Sequence, residues 1–475
     1  MIRAMKDLST GPLMGPLFLL FTFLCLSSVS GCASLPNVQT MMVHLISSFD
    51  QPTKIMGPQG EFSAKTSNAM IKRLEGQVDA TELLEQQVQL MQSVSGSLLV
   101  AGNKVTLLID GEATYAAMFE AIENAKDHIN LETFIFEDDE VGKRFSDLLI
   151  RKSAEGVQVN LIYDSYGSMK TPAGFFQHLR DGGVLVLEFN PLNPWKVLVG
   201  KRWKLRHRDH RKILVVDGAI AFTGGVNISA VYSGSSASAY RSEKKDEPWR
   251  DTDVRIEGPA AMRLQWLFMR TWERQKGPAL PSRDYFPYVK QAGNTLVRVV
   301  GSLPGDSDRL IFMMYISAIT HAENSIYLTT PYFVPDDQML KALSDATARG
   351  VDVKMLLPGF SDSPLVFHAS RYYYSRLLKA GVQLFERRGG MLHAKTAVID
   401  DVWSTIGSSN LDNESFLTND EANAVLLGRD FADSMQAMFE RDLEESNQIS
   451  LKEWKKRSPD NHLKEWSANL LKHLL

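Results

Sequence analysis

The sequence "HRKILVVDGAIAFTGGVN" occupies residues 210–227, and "HAKTAVIDDVWSTIGSSN" occupies residues 393–410. Both stretches begin with His-x-Lys, carry an Asp five residues after the Lys, and end with Gly-x-x-Asn. In the first copy, the apolar run 213–216 predicts a short buried strand. Chance recurrence of five residue identities at fixed offsets is improbable, so the pattern indicates a duplicated functional segment.

The duplication extends over most of the chain, because three further pairs of segments match in the same order. Their residue ranges are 121–136 with 318–333 ("AIENAKDHINLETFIF" and "AITHAENSIYLTTPYF"), 150–164 with 344–358, and 178–189 with 376–387. Each copy therefore closes with one of the two His-x-Lys stretches.

Within each copy, strand-like runs and helix-period runs alternate, which is typical of β-α-β units and favours a parallel sheet. We therefore predict an α/β protein with two tandem domains, residues 100–275 and 285–448. The stretch 275–294, which contains Pro and Gly, is predicted to link them. Residues 32–99 are predicted to form a spacer with one helix at 80–95.

Composition limits the class of protein. The 475 residues are 44% hydrophobic and 23% charged, the balance of a folded globular protein of roughly two or three domains. A formal net charge of −4 argues against a nucleic-acid binder that works by attraction over its whole surface. No nucleic-acid partner is therefore expected, and the oligomeric state is left open.

The first 31 residues predict an export signal. Arg3 and Lys6 precede the apolar run "PLFLLFTFLCLSS", and "VSGC" then ends at Cys32. This resembles a bacterial lipoprotein signal, in which Cys32 is acylated and Cys25 leaves with the signal. The alternatives are an uncleaved membrane anchor, although 13 residues are short of the ~20 that a span needs, or a signal in which Cys32 is incidental. The prediction is a lipid-anchored protein of the bacterial cell envelope.

The residue types in the repeated motif suit chemistry on a phosphate. The period of two along a strand places His210 and Lys212 on the same face. An imidazole with an ordinary pKa of ~6.5 serves as nucleophile or acid/base near neutral pH, and an adjacent ammonium attracts an anion. A single His and Lys on a strand is most often ordinary surface, but two matching copies favour a functional site.

The pattern H-x-K-x4-D-x6-G-[G/S]-x-N, present twice, resembles that of the phospholipase D superfamily over residues 100–448. The resemblance implies two domains of mixed sheet flanked by helices, packed so that both motifs meet at one pseudo-two-fold site without metal or cofactor. One His attacks phosphorus and forms a phosphohistidine, and the other protonates the leaving alcohol and deprotonates the incoming one. The usual order makes His210 the nucleophile and His393 the acid/base, but the residues alone do not separate them.

The same resemblance assigns further site residues. The lysines and asparagines would hold the non-bridging phosphate oxygens, where charge accumulates, and the motif aspartates would orient structure. Asp251 or Asp253, and Glu421, are candidates to hold the opposite motif's His, unless they are surface carboxylates. Ser408 is replaced by Gly225 in the first copy, so its substrate contact is expected on one side only. The positions are Lys212, Lys395, Asn227, Asn410, Asp217 and Asp400.

The details favour lipid synthesis. The first motif followed by "PWRDTDVRIEGPA" resembles the bacterial cardiolipin synthase branch, whose members transfer the phosphatidyl group of one phosphatidylglycerol to another and release glycerol. The basic, aromatic stretch 194–212, which includes Arg211 as an expected substrate contact, could attract anionic headgroups at ~1 kcal/mol per basic residue. Alternatively, it is a solvated loop that leads into a strand.

Three other functions stay open at this point: a hydrolytic phospholipase D, an envelope nuclease or other phosphodiesterase, and a lipid-binding protein without activity. No cluster of His, Cys and carboxylates at metal-ligand spacing accompanies the motifs, so activity without metal is expected.

The C-terminal segment 449–475 is amphipathic, with tryptophans and leucines among lysines. It is predicted either to lie at a bilayer interface or to pack on the body as a last helix. The tyrosines 372–374 are interpreted as packing residues, with the lining of a lipid entrance as the alternative.

Overall fold

The computed structural model describes residues 35–38, 40–41, 52–78, 81–95, 97–192, 207–233, 247–303 and 309–472. From Pro36 onward the described residues form one compact unit. The predicted export signal and Cys32 lie outside the described residues.

The described part of the lead-in includes the strands β1 (Ile55–Gly57) and β2 (Gly60–Glu61) and the helices α1 (Ala64–Glu75) and α2 (Thr81–Ser95). The helix predicted at 80–95 is therefore present. The first repeat comprises β3 (Leu99–Ile109), α3 (Asp110–Glu123), β4 (His128–Thr133), α4 (Glu140–Ala154), β5 (Gln158–Asp164), α5 (Ala173–Asp181), β6 (Leu185–Phe189), β7 (Ile213–Val216), β8 (Ile220–Gly224), a 3₁₀ turn (Ala230–Tyr232), β9 (Thr252–Glu257) and α6 (Ala261–Arg274).

The second repeat has the same order with a few additions. It comprises β10 (Thr295–Ser302), α7 (Leu310–Thr320), β11 (Ser325–Thr329), β12 (Phe333–Val334), α8 (Asp337–Ala348), β13 (Asp352–Pro358), α9 (Pro364–Tyr372), α10 (Tyr374–Ala380), β14 (Gln383–Arg387), β15 (Thr396–Ile399), β16 (Trp403–Gly407), β17 (Leu411–Asp412), α11 (Asn413–Leu417), β18 (Glu421–Leu427) and α12 (Arg429–Glu444). The chain then continues through β19 (Ser446–Ile449), α13 (Leu451–Trp454) and α14 (Pro459–Leu470). Residues 275–294, between the repeats, carry neither helix nor strand.

Each repeat forms a mixed sheet with the same strand order. The first is β6-β5-β4-β7-β8-β9-β3, and the second is β14-β13-β11-β15-β16-β18-β10. The three strands from the β-α-β units are parallel, as their pattern predicts. The remaining strands are antiparallel, because the His-x-Lys segment folds back as a hairpin. The α/β prediction with two tandem mixed-sheet domains is confirmed.

The motif Asp forms the hairpin turn in both repeats. Asp217 and Gly218 have φ of 50° and 63°, and Asp400 and Asp401 have φ of 52° and 53°. Asp tolerates this left-handed conformation better than most residues with a side chain. The turn thus returns the chain along the sheet and fixes the strand that carries His and Lys.

The two sheets are continuous through β3. Its C-terminal part pairs with β9, and its N-terminal part pairs with β10 (Asn103 with Thr295, Val100 with Val297). A buried apolar cluster packs residues of both repeats together, including Ile213, Val254 and Val398. The halves therefore share a sheet and a core, which fixes their relative position and that of anything built between them.

The C-terminal segment packs on the body. Tyr373 Oη lies 2.9 Å from Asn469 Oδ1, which joins the end of α9 to α14. The ring of Trp454 is buried, 4.8 Å from that of Tyr374. No helix within the described residues is both long enough and apolar enough to span a bilayer.

Candidate active site

Both motif histidines lie at the same edge of their sheets. His210 precedes β7, whose first residue Ile213 pairs with Glu132 at the carboxyl end of β4. His393 likewise precedes β15, whose first residue Thr396 pairs with Thr329 at the carboxyl end of β11. The β-hairpin of each motif therefore delivers its His and Lys to the edge where the parallel strands end.

Backbone hydrogen bonds cross between the repeats at these two segments. The amide of His210 donates to the carbonyl of Asp420 over 2.9 Å, and the amide of Asp420 donates to the carbonyl of Arg208 over 2.9 Å. In the related position, the amide of Arg250 donates to Met391 over 2.8 Å, and that of His393 donates to Arg250 over 2.8 Å. Each His is thereby held beside the start of a strand of the opposite repeat, β18 for His210 and β9 for His393.

The carboxylates supplied by these crossings meet the imidazoles. His210 Nδ1 lies 3.0 Å from Glu421 Oε1, and His393 Nδ1 lies 2.6 Å from Asp251 Oδ2. A carboxylate accepts only, so each Nδ1 carries a proton, which leaves Nε2 of each ring as the atom that can act as a nucleophile or carry a second proton. Of the two acids left open by the sequence, Asp251 holds His393, whereas Asp253 accepts the amide of Val226 over 3.0 Å.

The two lysines stand beside the histidines and are buried. Lys212 Nζ donates to the carbonyl of His210 over 2.7 Å, and Lys395 Nζ lies 3.0 Å from His393 Nδ1 and 3.1 Å from its Nε2. Burial, together with the charge of Lys395, lowers the pKa of Lys212 to about 7, and burial lowers that of Lys395 to about 8. A bound anion would favour the protonated form of both.

The two imidazoles have different electrostatic surroundings. Burial, together with Lys212 and Lys395, lowers the pKa of His210 well below its ordinary value. Burial also lowers the pKa of His393, but the charge of Asp251 opposes the shift. Burial raises the pKa of the partner Glu421 to about 7. Burial would raise the pKa of Asp251 too, yet attraction to His393 lowers it, so His393 has the more firmly ionised partner.

Ser408 and Gly225 occupy the position at which the two motifs differ, and each lies against one of these carboxylates. Ser408 Oγ donates to Glu421 Oε2, and the amide of Ala422 donates to Ser408 Oγ over 3.0 Å. A Cβ at Gly225 would overlap the carboxylate of Asp251, so serine has no room there. Ser408, expected to contact substrate, instead has its hydroxyl directed to Glu421 and is fully buried.

The two motif asparagines also differ in their hydrogen-bond partners. Asn227 Nδ2 donates to Tyr232 Oη over 2.9 Å, and Tyr232 Oη lies 3.3 Å from His393 Nδ1. Asn410 is buried, and its Oδ1 has no partner within the part of the chain that the structure describes. Sequence reasoning missed Tyr232. The signal was its offset of five from Asn227, the place held by Ser415 in the second copy.

The motif aspartates lie away from the site. Asp217 accepts the amides of residues 126–128 over 2.8 to 3.0 Å. Asp400 accepts those of residues 323–325 over 2.7 to 2.8 Å. Each therefore anchors the turn before the first parallel strand to its hairpin, the orienting role expected for it.

The placement of Arg211 is contrary to the expectation from the sequence. Its side chain is fully buried and donates to the carbonyl of Glu421 over 3.1 Å, to Thr271 Oγ1 over 2.9 Å and to the carbonyl of Ser302 over 2.9 Å. Alternation along the strand directs it away from the face of His210 and Lys212. Arg211 therefore ties the repeats together and is not available to substrate. Most of the basic stretch 194–212 lies outside the described residues.

Aromatic rings form part of the wall around the four basic groups. The ring of Phe134 is 5.0 Å from that of His210 and 5.3 Å from Lys212 Nζ. Trp249 lies 5.4 Å from the ring of His393. Two imidazoles with available Nε2 atoms and two ammonium groups thus share a low-dielectric space, which suits transfer of a phosphodiester group.

Comparison with known proteins agrees with this chemistry. The sequence profile of the family described as "Cardiolipin synthase, PLD-like domain" matches residues 118–235 and 315–443. Cardiolipin synthase A of Pseudomonas putida (strain GB-1) is 38% identical over 374 residues, 78% of this chain and 74% of that protein. Cardiolipin synthase of Alkalihalophilus pseudofirmus is 36% identical over 376 residues, 78% of this chain and 72% of that protein.

A solved structure shares the fold. The crystal structure of phosphatidylserine synthase from Haemophilus influenzae Rd KW20 superposes with a TM-score of 0.58 and 14% identity, over 82% of this chain and 100% of that chain. The profile spans both repeats, and the relatives exceed one third identity across three quarters of the sequence. The chain belongs to the cardiolipin synthase family of proteins with phospholipase D-like domains.

Proposed function

We propose that this protein is a phosphatidyl transferase that converts two molecules of phosphatidylglycerol into cardiolipin and glycerol. The observation that carries the proposal is the pair of histidines, each held through Nδ1 by a carboxylate of the opposite repeat. The relatives named cardiolipin synthase support the substrate class. A two-step displacement at phosphorus needs a nucleophile and an acid/base in one space, and the duplicated motif supplies both.

The first step forms a phosphohistidine. The Nε2 lone pair of neutral His210 attacks phosphorus, the bond from phosphorus to the glycerol oxygen breaks, and His393, which begins the cycle as an imidazolium, gives its Nε2 proton to that oxygen. In the second step, His393 takes the proton of the acceptor hydroxyl, the new oxygen–phosphorus bond forms, and the nitrogen–phosphorus bond breaks. Proton and charge balance over the cycle, so no other reactant is required.

The surroundings of the imidazoles support this division of labour. A nucleophile must be neutral, and the pKa of His210 is lowered well below its ordinary value. The acid/base must carry a proton on Nε2 before the first step and again after the second, and the ionised Asp251 beside His393 stabilises that imidazolium. The opposite assignment would place the imidazolium beside Glu421, whose pKa is raised to about 7.

The lysines and Asn410 are proposed to hold the non-bridging oxygens. Lys212 and Lys395 are buried beside the histidines, where an ammonium interacts strongly with charge that develops on phosphate. Asn410 is buried at the corresponding place in its motif, and its amide is not bound to Tyr232 as that of Asn227 is. Asn227 is therefore assigned to positioning Tyr232 and, through it, His393.

Attachment to a membrane of the cell envelope is part of the proposal, through acylation of Cys32. Its support is the signal-like sequence that ends at that residue. In cells fed a labelled fatty acid, Cys32→Ser should lose the label and accumulate as uncleaved precursor. Equal labelling of the variant would exclude this anchor.

The test of the activity is a product analysis. Purified full-length protein is incubated with phosphatidylglycerol vesicles, and the lipids are identified by mass spectrometry, with His210→Ala as the inactive control. Transfer gives cardiolipin and free glycerol. Hydrolysis by the same phosphohistidine chemistry gives phosphatidic acid instead, because water then takes the place of the acceptor. Phosphatidic acid as the only product would replace the transferase by a phospholipase, and no turnover would end the proposal.

A further inference from the structure

The C-terminal helix α14 has an inner face that is bound to the body. Glu465 and Ala468 are buried against it, and Tyr373 lies 2.9 Å from Asn469. Arg457 holds the turn before the helix through an ion pair with Glu465 at 2.8 Å. These contacts fix the helix on the molecule and determine which side faces outward.

The outward side is apolar. Leu463, Trp466, Leu470 and Leu471 are each between 45% and 62% exposed, and we name these four residues the outer stripe. The spacing of the first three places them along one side of the helix. Packing on the body therefore does not account for these side chains, and a contiguous apolar surface of this kind is typical of an interaction site.

The charges around the outer stripe identify the class of partner. Residues 451–472 contain six basic and three acidic side chains, although the whole chain has a formal net charge of −4. One of the three acids is Glu465, which is buried and paired with Arg457. Lys452, Lys455 and Lys456 are exposed. An apolar stripe in a segment that also exposes several lysines is complementary to the surface of an anionic bilayer.

The outer stripe lies on the part of the fold that reaches the active site. Helix α14 packs on α9, and α9 begins two residues after Asp362. Tyr332 Oη donates to Asp362 over 2.6 Å, and the ring of Tyr332 lies 6.5 Å from that of His393. Helix α9 therefore begins beside the wall of the catalytic space, and α14 packs against this helix.

The first repeat exposes apolar residues at the matching connection. Residues 165–172 follow β5 as α9 and its flanking turns follow β13, and within them Tyr166 is 52% and Met169 is 62% exposed. The guanidinium of Arg208, two residues before His210, lies 6.0 Å from the ring of Tyr166. Exposed apolar side chains therefore lie in the connection after β5 in the first repeat, and on the helix that packs against the connection after β13 in the second.

From these positions we propose that the outer stripe of α14, together with Tyr166 and Met169, seats the protein on an anionic phospholipid bilayer beside the active site. The choice of lipid rests on the proposed function. A phosphatidylglycerol headgroup would then reach the histidines while its acyl chains remain in the bilayer. The stripe thereby adds a second contact with the membrane, separate from any N-terminal anchor.

The first test measures contact directly and does not depend on turnover. Full-length protein is placed in vesicles that contain brominated phosphatidylglycerol, and quenching of its fluorescence is compared with that of Trp466→Phe. Wild type should be quenched more than this variant, because Trp466 lies in the lipid. The control Trp266→Phe removes a tryptophan that is 46% exposed on α6, and it should be quenched as strongly as wild type.

Two outcomes of this measurement would overturn the inference. One is equal quenching of wild type and Trp466→Phe. The other is equal quenching of wild type in brominated phosphatidylcholine, which would remove the role of charge. His210→Ala should be quenched like wild type. If it is, and no variant turns over any lipid, the proposed function fails while the membrane contact stands.

The second test distinguishes a loss of membrane contact from a loss of catalytic activity. The variant Leu463→Ser/Trp466→Ser/Leu470→Ser should raise the apparent KM for phosphatidylglycerol in vesicles by at least about tenfold, since three apolar side chains leave the lipid. Its turnover of short-chain phosphatidylglycerol dispersed as monomers should stay within about twofold of wild type. The control Phe286→Ser/Tyr288→Ser removes apolar side chains of similar exposure from the linker and should change neither value. An equal loss on both substrates, or the same loss in the control, would refute a specific membrane contact.

Discussion

Replacement of Asp251 by Asn separates the two chemical steps. The carboxylate is fully buried and lies 2.6 Å from His393 Nδ1. The asparagine keeps the volume but removes the charge that stabilises an imidazolium. A hydrogen bond to a charged group contributes about 1.5–3 kcal/mol. At 1.36 kcal/mol per tenfold, loss of this bond should slow turnover of phosphatidylglycerol by about 10- to 150-fold.

The loss should depend on the leaving group, because only one step requires an acid. With a phosphatidyl p-nitrophenol ester, the phenolate leaves without protonation, so Asp251→Asn should release its first equivalent at nearly the wild-type rate. Discharge to an alcohol still needs His393 as a base, so the steady state should be slow and an adduct should accumulate on His210.

The assay is rapid mixing with detection of p-nitrophenolate, followed by mass spectrometry of the protein. The matched variant is Glu421→Gln, which alters the partner of His210 and should slow the first release with both donors. Unfolding temperatures of both variants serve as the check on folding. If Asp251→Asn slows the burst with the activated ester as much as it slows phosphatidylglycerol turnover, the assignment of His393 as acid/base is refuted.

Three other predictions follow from the same geometry. His210→Ala should form no covalent adduct with the activated ester, whereas His393→Ala should accumulate one on His210; an adduct on His393 would reverse the roles. The pKa values of Lys212 and Lys395, lowered by burial to about 7 and about 8, mean that the free enzyme loses positive charge as the pH rises. Therefore kcat/KM for phosphatidylglycerol should fall through this window, and a profile that rises there would contradict the proposed role of the lysines. Turnover should be unchanged by EDTA, and activity lost to the chelator and restored by a divalent ion would argue for a metal site instead.

The sequence was most informative where the chemistry is repeated. His210 and His393, with their lysines, were recognisable because each motif occurs twice at fixed offsets. The parallel strands were recognisable from their β-α-β pattern. Apart from Ile213–Val216, the antiparallel strands were less evident, because strands as short as Ile220–Gly224 have little periodicity of their own.

Contacts between distant residues could not be read from the sequence. Nothing local distinguishes Asp251 from Asp253, since both are acids two residues apart near the start of a strand. Their difference arises only because the amide of Arg250 pairs with Met391 across the interface. Arg211 illustrates the same limit, because a basic residue beside a catalytic His suggests a phosphate contact until its partners are known.

Tyr232 shows a third reason why the site could not be predicted in full from the sequence. An aromatic side chain outside the repeated identities is usually a packing residue, and here it is also buried. Its hydroxyl nevertheless lies between Asn227 and His393. Only the comparison of corresponding positions in the two copies would have singled it out, because Ser415 places a hydroxyl at the same offset.

The exchange of carboxylates between the repeats makes catalysis a property of their association. Neither half contains a histidine together with its own acidic partner, since Glu421 serves His210 and Asp251 serves His393. A chain with a single copy would assemble this arrangement only by pairing with its twin about a two-fold axis. Fusion of the copies would then convert a concentration-dependent dimer into a permanent one. It would also free each half to change alone, so that glycine and serine can stand at equivalent places.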